Sequence, residues 1–243
     1  MTISGTEKCS LVDWPGMMTA VVFVPGCNMN CFYCHNRPLL RGGAVAPLDL
    51  DNILDWLRQR IGLLDGVVVS GGEPTLQPGL VEFIQQVRDI GFRVKLDTNG
   101  ARPAVLAALL FGGLVDYVAM DIKAPRAKYH RVTGVPMHLD LIDASIHLLR
   151  ASSIDYEFRT TAIPQLTHDD IVSIAEWVQG ARRLTLQQYR RPEWATARDD
   201  ARILAPPHDA AWFRAAIARI KGLVGSCGMR GLGELVDAEE RCA

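Results

Sequence analysis

Cys27, Cys31 and Cys34 lie in one short run, Gly26-Cys27-Asn28-Met29-Asn30-Cys31-Phe32-Tyr33-Cys34-His35-Asn36, directly after the apolar segment Ala20 to Val24. Three thiols on a single loop point to metal ligation, because an odd number leaves one unpaired by any disulfide. The remaining cysteines, Cys9, Cys227 and Cys242, are scattered and read as free thiols, a pattern unlike a secreted disulfide framework. The number of ligands decides what kind of centre is expected. A closed structural zinc site takes four, whereas a four-iron cluster held by three cysteines keeps one iron open to bind something else. An open iron supports chemistry rather than scaffolding.

The other candidate residues sit near the ends of apolar, β-branched runs. Gly71-Gly72-Glu73-Pro74 follows Gly66 to Ser70, and Asp97-Thr98-Asn99-Gly100 closes Phe92 to Asp97. Asp121 and Lys123 end Val115 to Ile122, Arg159 lies within Tyr156 to Ile163, and Gln187, Gln188 and Tyr189 end Leu184 to Tyr189. With Thr19 to Val24 ahead of the cysteines, these runs read as buried strands. Helical spacing fills the intervals at Leu50 to Ile61, Leu80 to Ile90, Pro103 to Phe111, Leu139 to Ala151 and Ile171 to Gln179, and recurs at Ala210 to Ile220. Such alternation predicts an α/β fold with parallel strands, either an open doubly wound sheet or a complete or partial barrel. In both arrangements function gathers at the carboxyl ends of the strands, where these clusters fall.

The chain has 243 residues, 49% hydrophobic and 22% charged, enough for one substantial core. A single domain over 1–222 is expected, with a Gly-rich tail over 223–243. A formal net charge of -1 gives no general attraction to nucleic acid or to an acidic membrane surface. Met1 to Ser10 lacks a basic segment followed by an apolar core, and no apolar run approaches the roughly 20 residues needed to cross a bilayer. A cytoplasmic protein in a reducing compartment is expected.

Together these residues resemble the radical S-adenosylmethionine (SAM) enzymes, and among them the activases that install a glycyl radical in a partner enzyme. Cys-x3-Cys-x2-Cys is that superfamily's cluster signature. The activase likeness rests on Ser10-Leu11-Val12-Asp13-Trp14-Pro15-Gly16, Cys34-His35-Asn36, Lys95-Leu96-Asp97-Thr98-Asn99-Gly100, Ala119-Met120-Asp121-Ile122-Lys123-Ala124-Pro125, Glu157-Phe158-Arg159-Thr160-Thr161 and Leu186-Gln187-Gln188-Tyr189-Arg190. It runs from about Gly5 to about Pro192 and is similar to the longer anaerobic ribonucleoside-triphosphate reductase activating proteins and to pyruvate formate-lyase activating enzymes.

The resemblance implies a partial (β/α)6 barrel of the radical SAM type. It implies a [4Fe-4S] cluster on Cys27, Cys31 and Cys34 that cleaves SAM reductively, giving a 5′-deoxyadenosyl radical that takes hydrogen from a glycine of the partner. The partner implied is a glycyl radical enzyme, most readily an anaerobic ribonucleoside-triphosphate reductase, with a flavodoxin- or ferredoxin-like electron donor. Tyr33 would lie near the adenine. Gly71, Gly72 and Glu73 would meet the methionyl end, as an alternative to an ordinary turn. Asp97, Thr98 and Asp121 would bind a monovalent cation near the SAM, or else serve caps and turns. Lys123 and Arg159 would pair with the SAM carboxylate, or with Asp121 or Asp97 as structural ion pairs. Asn99 would bond a ribose hydroxyl or supply a turn, and Asp13 would stand where the partner's glycine loop enters, or simply close its own turn. His35 is either a donor to a cluster sulfur or a packing residue. Arg182-Arg183 and Arg190-Arg191 are either partner contacts or solvated charge. Two rival readings remain at this point: a radical SAM enzyme acting on a small molecule, as in deazapurine formation, and a zinc-bound interaction module using His35 as fourth ligand.

Overall fold

Strand and helix alternate in the computed structural model as the apolar spacing predicts, because each strand run is long enough to be buried and helical runs such as Leu50–Arg58 and Leu80–Ile90 present one apolar stripe. The structure describes residues 1–40, 46–196 and 198–232, together with the backbone of 240 and 241. Cys242 lies outside the described residues. The chain forms two compact units, one of Met1–Asn28, Asn36–Ala119 and Leu141–Asp155, the other of Met29–His35, Met120–Asp140 and Tyr156–Ala243.

In the first unit β1 (Gly5–Ser10) runs antiparallel to β2 (Thr19–Val24), and β2, β3 (Gly66–Gly71) and β4 (Arg93–Thr98) are parallel. The parallel register sets Val21 beside Val68 and Val68 beside Lys95. Side chains alternate along a strand, so Val21, Val68 and Lys95 share one face, and Phe23, Ser70 and Asp97 continue it toward the carboxyl ends. Trp14 closes this face from the other direction. It packs with Val21, Val68, Tyr117 and Ala119, its ring centroid 5.9 Å from that of Tyr117. Arg93, the first residue of β4, lies 5.2 Å from the Trp14 ring, and the Met18 N–H donates to Asp65 just before β3. The Val12–Gly16 turn therefore rests against the amino-terminal half of the strands.

Helix Leu50–Arg58 starts at Asp49, whose carboxylate accepts the Asn52 N–H, and buries Ile53, Leu54 and Leu57. Helix Leu80–Ile90 is bracketed by Gly79 and Gly91, both left-handed, Gly91 at φ 110° in the position that ends many helices.

In the second unit β6 (Asp155–Ala162), β7 (Leu184–Gln188) and β8 (Ser226–Arg230) are parallel, and β8 meets the antiparallel β9 (Glu240–Arg241). The division between the units falls within β5 (Tyr117–Asp121). Helix His168–Trp177 begins before the expected Ile171, because Thr167 and Asp170 form a reciprocal cap. The expected tail holds a strand: Ser226–Arg230 aligns with β7, and Arg230 places its guanidinium 3.0 Å from Glu157, a completely buried carboxylate that also accepts the Thr185 hydroxyl. Composition concealed this strand, since its central glycine and its ionic contact carry no apolar alternation.

Candidate active site

In the first unit the carboxyl ends of β2, β3 and β4 come together through their backbones. The Gly72 N–H donates to the Val24 carbonyl at 2.8 Å and the Glu73 N–H to the Gly26 carbonyl at 2.8 Å. Gly71 sits at φ 112°, and a Cβ on Gly72 would collide with the Gly26 carbonyl oxygen. The close approach that these glycines permit is thus to the backbone leading into Cys27. Asn36 adds a bond from its amide to the Gly71 carbonyl at 2.9 Å, and Gln77 one to the Pro25 carbonyl at 2.6 Å.

Glu73 organises this rim. Its side chain is buried and accepts from the Thr75 N–H and hydroxyl, from the Thr98 hydroxyl at 2.7 Å and from the Asn99 N–H at 2.7 Å. Burial raises its pKa, with those hydrogen bonds acting the other way. Asn99 in turn points its amide at Asn28 Oδ1, 2.7 Å away, and at Cys27 Sγ, 3.8 Å away. The left-handed residue of the Asn-Gly turn is Gly100, at φ 75°, and Asn99 Oδ1 accepts the Ala101 N–H at 3.0 Å within that turn while its amide makes these contacts. Asp97 accepts the Ser70 hydroxyl at 3.1 Å and stands 3.2 Å from Lys95 Nζ. Lys95 also donates to the Asp13 carbonyl, and the Asp13 carboxylate accepts the Ser10 hydroxyl at 2.5 Å. Leu11 and Val12, beside Asp13, are 68% and 78% exposed.

In the second unit the segment Met29–His35 is pinned on both sides. Asn30 N–H donates to the Thr133 carbonyl at 2.7 Å, and Trp194 Nε1–H donates to the Cys34 carbonyl at 2.9 Å. Arg202 covers the Phe32 ring at 4.1 Å. Cys31 and Tyr33 are buried, and the Tyr33 hydroxyl has no hydrogen-bond partner among the described residues. Burial pushes that phenol well above its ordinary range, with the Lys123 charge pulling against it.

Asp121 holds two cations at once: Lys123 Nζ at 2.8 Å from Oδ2 and Arg159 Nε at 2.9 Å from Oδ1. Burial by itself would raise the Asp121 pKa, but the charges and hydrogen bonds of Arg159 and Lys123 hold it down to about 2. The Lys123 pKa, which burial lowers, is carried well above its usual value by the same carboxylate.

A cavity of about 240 Å³ opens at the carboxyl ends of β6, β7 and β8, lined by His35, Thr161, Gln187, Gln188, Arg190 and Arg230 among others. Burial lowers the pKa of His35, which lines this cavity. Lys95, Trp194 and Arg230 escaped the sequence reading of the site. A lysine two residues before Asp97 on a buried strand was the available signal for Lys95; the contacts of Trp194 and Arg230 join residues far apart in the chain and leave no local trace.

Among the described residues, no helix is long and apolar enough to cross a membrane. The radical SAM superfamily model matches residues 21–178. A protein of Methanocaldococcus jannaschii, named as a candidate glycyl-radical enzyme activating enzyme, is 35% identical over 198 residues, covering 77% of this chain and 79% of that protein. The pyruvate formate-lyase-activating enzyme of Listeria monocytogenes is 28% identical over 189 residues, 73% of this chain and 75% of the enzyme. Among solved structures, Streptococcus suis SuiB bound to S-adenosylmethionine shares the fold at a TM-score of 0.59 and 13% identity, over 87% of this chain and 52% of that one. The zinc-module reading falls with these matches. The chain is an α/β enzyme of the radical SAM superfamily, whose cofactors are a [4Fe-4S] cluster and SAM, and it belongs there to the glycyl-radical enzyme activating enzymes.

Proposed function

We propose that this enzyme activates an anaerobic ribonucleoside-triphosphate reductase by removing the α-hydrogen of a glycine in that partner. The observation that carries the reading is the Cys27-x3-Cys31-x2-Cys34 run inside the matched region, residues 21–178. The choice of partner is supported by the Ser10–Gly16 and Cys34–Asn36 runs.

The residues present fit the cofactors. Three thiolates are the donor set of a cluster with one open iron. The Asn99 amide already points at Cys27 Sγ, and hydrogen bonds to cluster sulfurs tune such centres. Lys123 and Arg159 bring two positive charges against the one carboxylate of Asp121. Cations so placed suit the carboxylate of SAM, and the buried Tyr33 hydroxyl offers a further polar contact. When bound, the reduced cluster and SAM supply a 5′-deoxyadenosyl radical able to take hydrogen from an unactivated carbon. The protein's own part is to fix the cysteine loop through Gly71, Gly72 and Glu73 and to present a polar rim at the strand ends. Asp13, flanked by exposed Leu11 and Val12, is assigned to partner docking, and a flavodoxin- or ferredoxin-like protein to electron delivery.

The test is anaerobic reconstitution with iron and sulfide, reduction with dithionite, and low-temperature electron paramagnetic resonance with and without SAM. A reduced cubane signal that changes on SAM addition, with 5′-deoxyadenosine formed, is expected. Incubation with the reductase should then give a glycyl radical doublet. A zinc-loaded, silent sample refutes the cluster assignment; cleavage without radical transfer refutes only the partner.

A further inference from the structure

We propose that the hydroxyl of Tyr129 donates a hydrogen bond to the sulfur of Cys31 once the cluster is in place, and that this bond raises the reduction potential of the cluster. The proposal rests on the functional reading above.

Tyr129 opens the short helix Tyr129–Thr133, and the far end of that helix is tied to the cysteine loop within the second unit. The Asn30 N–H donates to the Thr133 carbonyl at 2.7 Å. Gly134, at φ 71°, comes so close that a Cβ there would lie 2.5 Å from the Asn30 carbonyl oxygen. The Thr133 hydroxyl donates back to the Tyr129 carbonyl at 2.9 Å. Tyr129 thus lies one helical turn from the residue that holds Asn30, the neighbour of Cys31. Its ring is fixed edge-on against Trp177, with the centroids 5.6 Å apart.

Cys31 and Tyr129 are 7% and 1% exposed, and the Tyr129 hydroxyl has no hydrogen-bond partner among the described residues. A buried hydroxyl in that condition is uncommon and costly, so it marks a place where a partner is supplied later. Burial raises the Tyr129 pKa, the Lys123 charge and backbone N–H act the other way, and the Cys31 and Asp121 charges add to the rise. The phenol therefore keeps its proton and can donate it. Of the groups that act on it, the ammonium and N–H of Lys123 are donors only. Asp121 already accepts from Lys123 and Arg159, one on each oxygen. As a cluster ligand, Cys31 carries the remaining negative charge of this set, and its sulfur accepts. A hydrogen bond to a cluster sulfur draws off electron density and favours the more negative, reduced state. Tyr129 is a positioning residue that acts through Cys31.

The experiment compares the native chain with Tyr129→Phe in two states. In the apo protein, urea unfolding followed by circular dichroism should give the variant a midpoint equal to or above the native one, because the phenylalanine ring keeps the Trp177 contact and sheds only an unpartnered hydroxyl. In the reconstituted protein, anaerobic redox titration followed by electron paramagnetic resonance should show a reduction constant about tenfold smaller, a fall of about 59 mV for a one-electron couple. Site-specific 3-fluorotyrosine at position 129, a stronger donor of nearly the same size, should move the potential upward, and it decides the matter if Tyr129→Phe does not fold. A general loss of packing would not produce shifts of opposite sign. An unmoved potential in a folded variant overturns the proposal. So does a clear drop in the apo midpoint, since the hydroxyl would then have its partner in the folded chain alone. A native chain that assembles no reducible cluster overturns the functional reading itself, and this one with it.

Discussion

Replacing Arg230 by alanine removes the guanidinium that lies 3.0 Å from Glu157 and leaves that carboxylate, 0% exposed, with the Thr185 hydroxyl at 2.7 Å as its remaining hydrogen-bond donor among the described residues. Breaking a buried pair from one side costs about 3–5 kcal/mol, because the stranded charge keeps its desolvation penalty and loses its compensation. Urea unfolding followed by circular dichroism at pH 7.5 should show a loss of that order. Adding Glu157→Gln to Arg230→Ala should recover much of the loss at pH 7.5, since the neutral amide retains hydrogen-bonding groups without a charge. A loss below about 1 kcal/mol, the level of an exposed ion pair, would refute the reasoning and detach β8 from the core of its unit.

Further outcomes follow from the other contacts. Asp121, held at about 2 against an ordinary 3.8, contributes about 2 kcal/mol at neutral pH that is fully present above about pH 4 and lost as pH falls through about 2. Acid titration of urea stability should show that loss in the native chain and not in Asp121→Asn. Gly72→Ala places a methyl against the Gly26 carbonyl and should lower both stability and the iron retained after reconstitution; normal iron content in a folded variant would contradict the assigned role of that glycine. Cys31→Ala should abolish SAM cleavage, measured as 5′-deoxyadenosine, and retained cleavage in a folded protein would remove Cys31 from the cluster. Asp13→Ala should leave uncoupled SAM cleavage largely intact while reducing glycyl radical formation on the partner. Equal loss of both would make Asp13 a structural turn residue.

Much of this protein is written locally. The strands β2 to β7 and the helices Leu80–Ile90, Pro103–Phe111, Leu139–Ala151 and Ala210–Ile220 follow from apolar period and run length, properties that neighbouring residues determine among themselves. The proposed chemistry was legible for the same reason: the three candidate cysteine ligands lie within one loop, and their number and spacing point to an open cluster before any contact is known. The sequence also narrowed Lys123 and Arg159 to a short set of partners, because buried cations demand them, but Asp121 and Asp97 were equally eligible. The tertiary structure decided between them, pairing Asp121 with Lys123 and Arg159 and Asp97 with Lys95. It likewise showed that Gly71 and Gly72 serve the backbone of Val24 and Gly26, and that Arg230 in a Gly-rich segment belongs to a core ion pair. Residue types and spacing determine which groups are needed and which elements form. Which charge meets which depends on strand register and on side chains distant in sequence, and only the folded chain fixes those distances.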